Sequence, residues 1–492
     1  MPETKTKLVD KINVRMYRIG TGDFFLLQFK NKNTIIFNLM IDCGCINAGK
    51  EDFIEKVEHL KKETGEKIDL LIVTHEHADH INGFQKVSDI FDKIEVKKVW
   101  LAWTEADEKY ANDFRKEHAK VKIAIQNASL KLNQSYKNKS FQKVFKDEYD
   151  GTTMLGATKF FIDSLTNLNE LNDMGEPISL DKIPTMADIL TKHKVIKPST
   201  IVEYYEPGNT IENIEGADGV RIFVLGPPKD NEYIKKEEVK GEGYEKRKQK
   251  SSIDMAFLNI FNRDDLSEAE VKPFDEKYEL EVKDLEKYKM FKEHYNSEPW
   301  RTIDNDWLFS AGNLALRHET SINNTSLVIA IQFKESEKIL LFPGDAEQGS
   351  WLSWHDGLEW NFLDKNNNTK KVNAEYILNN TVFYKVAHHL SQNGTAKQKG
   401  LEMMLHEDLA AMVTLDFNKI NNGWLNTMPN DLIGETLIRK TKGKVFFAGD
   451  RKKILKNLQT DRVTLSKVNL QKLEKENKRF DGKFYIEHEV NG

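Results

Sequence analysis

Three histidines and an aspartate fall within six residues of the stretch THEHADH, where His75, His77, Asp79 and His80 follow an apolar run at residues 70–73. That run is typical of a strand buried on both faces, so the four residues should lie on the turn that leaves it and on the start of a helix. Residues two apart in an extended chain point the same way, so the first three can converge. Imidazole nitrogens and carboxylate oxygens suit zinc and similar divalent ions. The stretch therefore predicts a metal site. A histidine-rich surface loop would have no reason to follow a buried strand.

Two later predicted strands also end in ligand-type residues. Asp345 follows a strand and a Pro-Gly turn in KILLFPGDAEQ, and His388 and His389 end the strand in TVFYKVAHH. In open α/β sheets, functional groups gather at the edge where strands end and loops begin. Asp345 alone could equally be a turn-capping residue. Ligand-type groups on three strand ends together favour one shared site.

Composition and charge narrow the class of protein. The net charge of −5, with 31% charged residues of both signs, provides no general basic field for nucleic acid. The two cysteines, Cys43 and Cys45, are too close for an ordinary disulfide and favour a reducing compartment; a metal-binding pair is the alternative to a buried structural role. The N-terminus has no apolar signal core, and no run reaches membrane-spanning length. We expect a cytoplasmic protein that does not enter a membrane.

Alternating strand and helix signals predict an α/β core with two polar, mostly helical insertions. Strands are predicted at residues 14–19, 24–29, 34–41, 70–73, 96–103, 201–206, 220–225, 326–333, 338–342, 381–389 and 410–416, with helices at 51–63, from 81 to 91, and around 397–406. The expected organisation is a first core part at 1–103, an insertion at 104–199, core strands at 200–228, a second insertion at 229–312, a second core part at 313–450 and a C-terminal extension at 451–492. The apolar residues of the insertions are too few for an independent core, so the two tracts should bury these residues against one another or against the core. Trp351, Trp354 and Trp360 are expected to pack in the core rather than to stack on bases.

THEHADH resembles the HxHxDH signature of the metallo-β-lactamase-fold hydrolases. Within that superfamily, several phrases are similar to the hydrolase domain of the competence protein ComEC and its soluble relatives: YRIGTGDFFLLQF, LMIDCG, VRIFVLGPP, NNTSLVIAIQF, LLFPGDAE and YKVAHHLS. The resemblance covers about residues 14–103, 201–228 and 322–416. It implies a four-layer αββα sandwich with two divalent metal ions between the sheets, zinc being expected and manganese the alternative. Inserted segments in this family commonly lie over the metal edge, so the two insertions are expected to form one helical cap that selects the substrate.

The resemblance also implies which residues hold the ions. His75 and His77 would bind the first ion, Asp79 and His80 would bind the second, and Asp345 would bridge the two. The chemistry should depend most on Asp79, His77 and Asp345, with Asp79 orienting the nucleophile.

Three further positions follow from the same resemblance. One of His388 and His389 would complete the second site, and His389 is favoured because His-x-Ser resembles the last motif of nuclease members. Asp42 would support the metal loop without binding metal.

The chain departs from the family at one ligand. Most members supply a further histidine from the strand before the bridging aspartate, but here the sequence SINNTSLVI has Asn323 or Asn324 at that place. ComEC-like sequences often have asparagine there, which puts full occupancy of the first metal site in doubt. His318 is a possible substitute ligand, although a lone histidine in a polar segment is more often just exposed.

The expected reaction is hydrolysis by metal-activated hydroxide. The ComEC-like phrases point to a phosphodiester substrate, DNA or RNA among them, and therefore to a phosphodiesterase or nuclease. The alternatives are a hydrolase of a small carbonyl ester, such as a lactone or thioester, and a non-catalytic interaction module. Arg301, Arg317 and Lys385 are candidate substrate contacts, each more simply explained as a surface or strand-end cation. No motif indicates a partner protein, and no P-loop or GxGxxG motif supports nucleotide-driven or redox chemistry.

Overall fold

The computed structural model describes residues 8–136, 183–236, 239–244, 287–289, 320–364, 366, 368–419, 428–460, 462–480 and 482–492. Contacts divide the chain into two compact units. The first comprises Met1–Lys116, Glu170–Arg247 and Glu319–Gly492, and the second comprises Glu117–Asn169 and Lys248–His318. Most of the second unit lies outside the described residues. The candidate site lies within the first unit.

The strands are β1 (Lys11–Tyr17), β2 (Phe25–Asn31), β3 (Thr34–Ile41), β4 (Lys67–Ile72), β5 (Glu95–Ala102), β6 (Ile201–Tyr205), β7 (Thr210–Ile211), β8 (Val220–Gly226), β9 (Val328–Phe333), β10 (Ile339–Phe342), β11 (Glu359–Leu363), β12 (Thr369–Asn373), β13 (Thr381–Lys385), β14 (Ala410–Val413), β15 (Val445–Phe447) and β16 (Tyr485–Asn491). The helices are α1 (Lys50–Glu63), α2 (Ala78–Lys86), α3 (Ser88–Phe91), α4 (Lys109–Tyr136), α5 (Met186–Lys192), α6 (Asn231–Ile234), α7 (Gln348–Ser353), α8 (Ala374–Asn379), α9 (Asp431–Lys440), α10 (Arg451–Leu458) and α11 (Lys467–Phe480).

Two seven-stranded mixed sheets form the centre of the first unit. Their strand orders are β16-β1-β2-β3-β4-β5-β6 and β15-β14-β13-β10-β9-β8-β7. Apolar side chains from both inner faces bury one another in a single cluster. Phe342 of β10 contacts Phe25 of the first sheet and Phe383 of β13, with ring centroids 5.9 and 5.4 Å apart. Such a double-sided core explains why most of these strands read as continuous apolar runs.

Helices cover the outer faces of the sheets. The outer face of the first sheet buries Phe53, Val57 and Leu60 of α1 together with residues of α2, α3 and α5. On the second sheet, Trp351 and Trp354 are fully buried, as is Trp360 of the small β11-β12 hairpin. The expected α/β sandwich of four layers and the core role of the three tryptophans are thus confirmed.

The predicted strands are confirmed to within a few residues, but one predicted helix is wrong. Residues 397–406 contain only a 3-10 turn at Leu401–Met403, because Gly400 has a non-helical backbone conformation. Within the predicted extension, β16 pairs antiparallel with β1 and so belongs to the first sheet. Of the first predicted insertion, the structure describes α4 and α5; the cap remains a prediction. None of the described helices is long and apolar enough to cross a membrane.

Candidate metal centre

Neighbouring parallel strands bring Asp42 and the THEHADH stretch together. Ile41 at the end of β3 pairs with Ile72 at the end of β4, so the residues after both strands lie side by side. Asp42 is fully buried and accepts hydrogen bonds from the backbone N and Oγ1 of Thr74, at 2.8 and 2.6 Å. Its Oδ2 also lies 2.7 Å from Nδ1 of His80. This contact fixes the ring so that Nε2 of His80 points away from Asp42.

His75 and His77 face each other on the turn before α2. Nε2 of His75 lies 3.1 Å from Nδ1 of His77. On its other side, Nδ1 of His75 contacts Oγ1 of Thr74 at 3.1 Å and Oγ of Ser326 at 3.2 Å. The predicted pair of first-ion ligands is therefore close in space.

The second sheet supplies Asp345 and His389. β10 and β13 are parallel neighbours, so the residues that follow them lie at one edge. His388, His389 and Leu390 all have positive φ, at 46°, 50° and 70°. A left-handed conformation costs roughly 1–2 kcal/mol per residue for residues with a Cβ, so the surrounding structure must hold this turn in place. The turn points His388 and His389 in different directions.

Four side-chain atoms converge between the two sheets. Oδ2 of Asp345 lies 3.1 Å from Nε2 of His80 and 3.1 Å from Nε2 of His389. Oδ2 of Asp79 lies 3.0 Å from the same Nε2 of His389. Two carboxylate oxygens and two imidazole nitrogens at these separations make a donor set suited to a divalent ion such as Zn²⁺.

Electrostatics couple these groups strongly. Burial opposes the charged form of His389, but Asp345 and Asp79 outweigh it and raise the pKa of His389 to about 9. Burial likewise opposes ionisation of Asp79, yet the contact with His389 lowers the pKa of Asp79 to about 2. The pKa of His80 is raised well above its ordinary value, because Asp345, Asp23 and Asp42 outweigh its burial. Burial, together with the neighbouring histidines, holds the pKa of His75 well below its ordinary value.

The geometry agrees with a comparison of the sequence with known families. Residues 34–155 match the model of the Metallo-beta-lactamase superfamily. Over these residues the chain is similar to that superfamily. The anti-Pycsar protein Apyc1 of Bacillus phage BSP38 is 35% identical over 75 residues, which are 14% of this chain and 27% of that protein. Apyc1 of Paenibacillus sp. (strain J14) is 32% identical over 79 residues, 15% of this chain and 29% of that protein. The chain thus spans less than a third of the length of these curated relatives, and no solved structure matches it.

Several residues expected at the candidate metal centre lie apart from the four converging atoms. His388 contacts Oγ of Ser391 at 2.9 Å and Oε1 of Glu347 at 3.3 Å through its Nδ1. Asn323 donates to the same Oε1 of Glu347 at 2.8 Å, and its Nδ2 lies 3.4 Å from Nε2 of His388. Oδ1 of Asn324 accepts from the backbone N of Glu347 and of Ser350, as a structural amide does. His318 lies outside the described residues.

The sequence analysis missed two residues that the structure places beside the four converging atoms. Ligand-type atoms of Asp23, His80, Asp345 and His389 lie within 4.8 Å of one another, and Asp23 had been given no role. Lys385 does end β13, as a strand-end cation would, but it is 1% exposed and pairs with Asp23 and Asp345, so it is not a surface residue. The only local signal for Asp23 is the glycine-rich turn GTGD between two strands.

Imidazole nitrogens that lack a good hydrogen bond also indicate that the side chains fit a metal ion. Among the described residues, Nε2 of His77 is buried without a hydrogen-bond partner, and Nε2 of His80 is buried with the ionic contact to Oδ2 of Asp345, at 3.1 Å, in place of a well-aligned hydrogen bond. Buried polar atoms are normally satisfied, and an imidazole nitrogen that is not engaged by a protein donor or acceptor is available as a ligand. On the opposite side of His80, the carboxylate of Asp42 is the partner that ligating histidines commonly have.

Proposed function

We propose that this chain is a metal-dependent phosphodiesterase with two divalent ions, zinc or manganese, between its sheets. The observation that carries the proposal is the convergence of Oδ2 of Asp79 and Asp345 with Nε2 of His80 and His389. The match to the metallo-β-lactamase superfamily supports it. The phrases similar to the ComEC hydrolase domain favour a phosphodiester substrate, such as DNA, RNA or a smaller diester.

Each ion would have its own histidines. His75 and His77 present adjacent nitrogens for the first ion, and His80 and His389 present Nε2 atoms for the second. Asp345, whose Oδ2 lies 3.1 Å from Nε2 of both His80 and His389, would contribute the carboxylate that the two ions share. The chemistry that such ions supply is Lewis acidity and an activated water, whose pKa falls to about 7 at a single catalytic zinc.

The protein side chains provide orientation and charge. Asp79 lies in the first turn of α2 with Oδ2 on Nε2 of His389, so its other carboxylate oxygen would be the one that orients a water. The buried walls of the centre exclude bulk water and so strengthen the interaction with charge that develops on a phosphoryl oxygen. His388 is partly exposed beside the buried Glu347 and can contact the substrate from that side.

The test uses the purified full-length protein, stripped with a chelator and reloaded with Zn²⁺ or Mn²⁺. Bis-p-nitrophenyl phosphate, single-stranded oligonucleotides, RNA and plasmid DNA are compared with a panel of lactones and thioesters. We expect metal-dependent hydrolysis of phosphodiesters, lost in Asp79→Asn and kept in Asp69→Asn, which changes a carboxylate of β4 remote from THEHADH. Hydrolysis of carbonyl esters alone, or unchanged turnover in Asp79→Asn, would contradict the proposal.

A further inference from the structure

Asp23 is buried behind the metal centre and joined to its backbone. It ends the GTGD turn between β1 and β2, and its side chain is 1% exposed. Its backbone N donates to O of Asp79 at 2.9 Å, and its O accepts from N of Gly44 at 2.9 Å. Gly22 has φ of 145°, and a Cβ there would lie 2.6 Å from O of Asp79. Only glycine therefore allows this turn to press against the metal loop.

The carboxylate of Asp23 faces the rear of both imidazoles. Its oxygens lie 3.9 Å from Nδ1 of His80 and 3.9 Å from Nδ1 of His389. The converging atoms of the two rings are the Nε2 atoms. Asp23 is close to the ligands, but it lies on the side of each ring that does not face Asp345.

Hydrogen bonds through Thr414 connect Oδ1 of Asp23 to His389 and set which ring nitrogen of His389 carries the proton. Oγ1 of Thr414 donates to Oδ1 of Asp23 at 2.8 Å, and it lies 2.8 Å from Nδ1 of His389. A hydroxyl has one proton, and here the carboxylate receives it. The hydroxyl must then accept from Nδ1 of His389. In neutral His389 this leaves the lone pair on Nε2, the atom that faces Asp79 and Asp345.

The ammonium group of Lys385 connects Oδ2 of Asp23 to Asp345 and determines which oxygen of Asp345 is occupied. Nζ of Lys385 lies 2.6 Å from Oδ2 of Asp23, 3.0 Å from Oδ1 of Asp345 and 2.8 Å from O of Gly344. These three acceptors use all three ammonium protons. Oδ1 of Asp345 also accepts from the backbone N of His388 at 3.2 Å, so Oδ2 is the oxygen left for metal.

We propose that Asp23 is a positioning residue and not a ligand. Through Thr414 and Lys385 it makes His389 bind metal by Nε2 and Asp345 bind by a single oxygen. This inference rests on the proposed function only for the identity of the centre as a metal site; it makes no use of the substrate.

The experiment measures metal binding instead of turnover. Full-length wild type, Asp23→Asn, Thr414→Val, Thr414→Ser and the double variant Asp23→Asn/Thr414→Val are titrated with Co²⁺ against a chelator, and visible spectra are recorded. Circular dichroism of each metal-free protein establishes that it is folded. We expect Asp23→Asn and Thr414→Val to keep the wild-type number of cobalt ions but to bind them about 10- to 100-fold more weakly, as loss of a ligand's hydrogen-bond partner does. Thr414→Ser should bind as the wild type does.

The double variant shows whether Asp23 and Thr414 act on His389 through one shared hydrogen-bond path or through two unrelated contacts. Since both changes break the same path to His389, the double variant should bind cobalt no more weakly than Asp23→Asn alone. If the double variant bound cobalt more weakly by the product of the two single-variant factors, a shared path from Asp23 through Thr414 to His389 would be refuted. Loss of one cobalt ion in Asp23→Asn alone would show that Asp23 is a ligand. Lys385→Met should alter the cobalt spectrum, because Oδ1 of Asp345 loses its ammonium partner, keeps only the bond from the backbone N of His388 and can join Oδ2 in binding metal. An unchanged spectrum would refute that step. These binding measurements do not depend on the substrate panel. Failure of the proposed role of Asp23 can therefore be distinguished from failure of the proposed phosphodiesterase function.

Discussion

Replacing Asp42 with asparagine should weaken metal binding without removing a ligand. Oδ1 of Asp42 accepts from the backbone N of Thr74, while Oδ2 accepts from Oγ1 of Thr74 and contacts Nδ1 of His80. Asparagine has the same shape, but one end of its amide only donates. With its oxygen kept on the Thr74 backbone, its NH₂ group faces Nδ1 of His80. That nitrogen must then accept, and the imidazole proton moves to Nε2, where it blocks metal binding.

The expected losses of metal affinity and of stability follow from the hydrogen bonds that Asp42→Asn removes. A hydrogen-bond partner of this kind is worth about 10- to 100-fold in metal affinity, which is about 1.4–2.7 kcal/mol. Loss of a hydrogen bond to a charged group should also lower the stability of the folded protein by about 1.5–3 kcal/mol. Asp42→Ala would instead leave three buried groups without their acceptor and should cost more.

The assay is competition for Zn²⁺ between the metal-stripped protein and a chromophoric chelator, with urea unfolding of the same samples in EDTA. The matched control is Asp69→Asn, which changes a carboxylate that accepts from the backbone N of Asn38 at 2.9 Å in the same sheet. The control should bind zinc as the wild type does. If Asp42→Asn also bound zinc as tightly as the wild type, the role of Asp42 in fixing the His80 tautomer would be refuted.

Three further predictions concern the pH dependence of stability, the close backbone contact at Gly44 and the hydrogen bonds of two buried tryptophans. The folded pKa of His389, about 9, lies above its ordinary value of 6.5, so in EDTA its ion pairs stabilise the protein fully below pH 6.5. That stability should be lost as pH rises towards 9, and His389→Gln should flatten the thermal-melting profile over this range. A Cβ on Gly44 would lie 2.2 Å from N of His80, so Gly44→Ala should cost about 3 kcal/mol and reduce metal content. The control is Gly49→Ala, where the Cβ meets only the ends of two flexible side chains, at 3.4 and 4.0 Å. Elemental analysis and urea unfolding should show neither a loss of metal nor a comparable loss of stability in this control. Nε1 of Trp351 donates to two carbonyls, whereas Nε1 of Trp354 has no hydrogen-bond partner among the described residues. Urea unfolding should therefore show Trp351→Phe to be about 1–3 kcal/mol more destabilising than Trp354→Phe; equal losses would contradict this account.

Local signals were sufficient to predict the sheets and part of the centre. An apolar run followed by ligand-type residues is a short-range pattern, and parallel pairing then brings such ends together. His80 and Asp345 were found in this way, and the structure does bring them within 3.1 Å.

The remainder depends on contacts that have no local pattern. Asp23 and Thr414 are 391 positions apart, and neither has a neighbour in sequence that indicates the other. Lys385 reads as an ordinary cation at a strand end until Asp23 is placed beside it. His388 and His389 follow the same strand, and only the left-handed turn shows that their side chains separate.

The contact between Asp23 and Thr414 also has a consequence for how the protein acquires its metal during synthesis. At about 5–20 residues per second, the ribosome needs roughly 20–80 s to travel between the two codons. For most of that interval the emerging chain carries His75, His77 and His80 but neither Asp345 nor His389. Such a flexible histidine cluster would follow the Irving–Williams order and prefer copper to zinc. Discrimination among metals must therefore come late, when the second sheet closes on the first and imposes its geometry on ligands that were made much earlier.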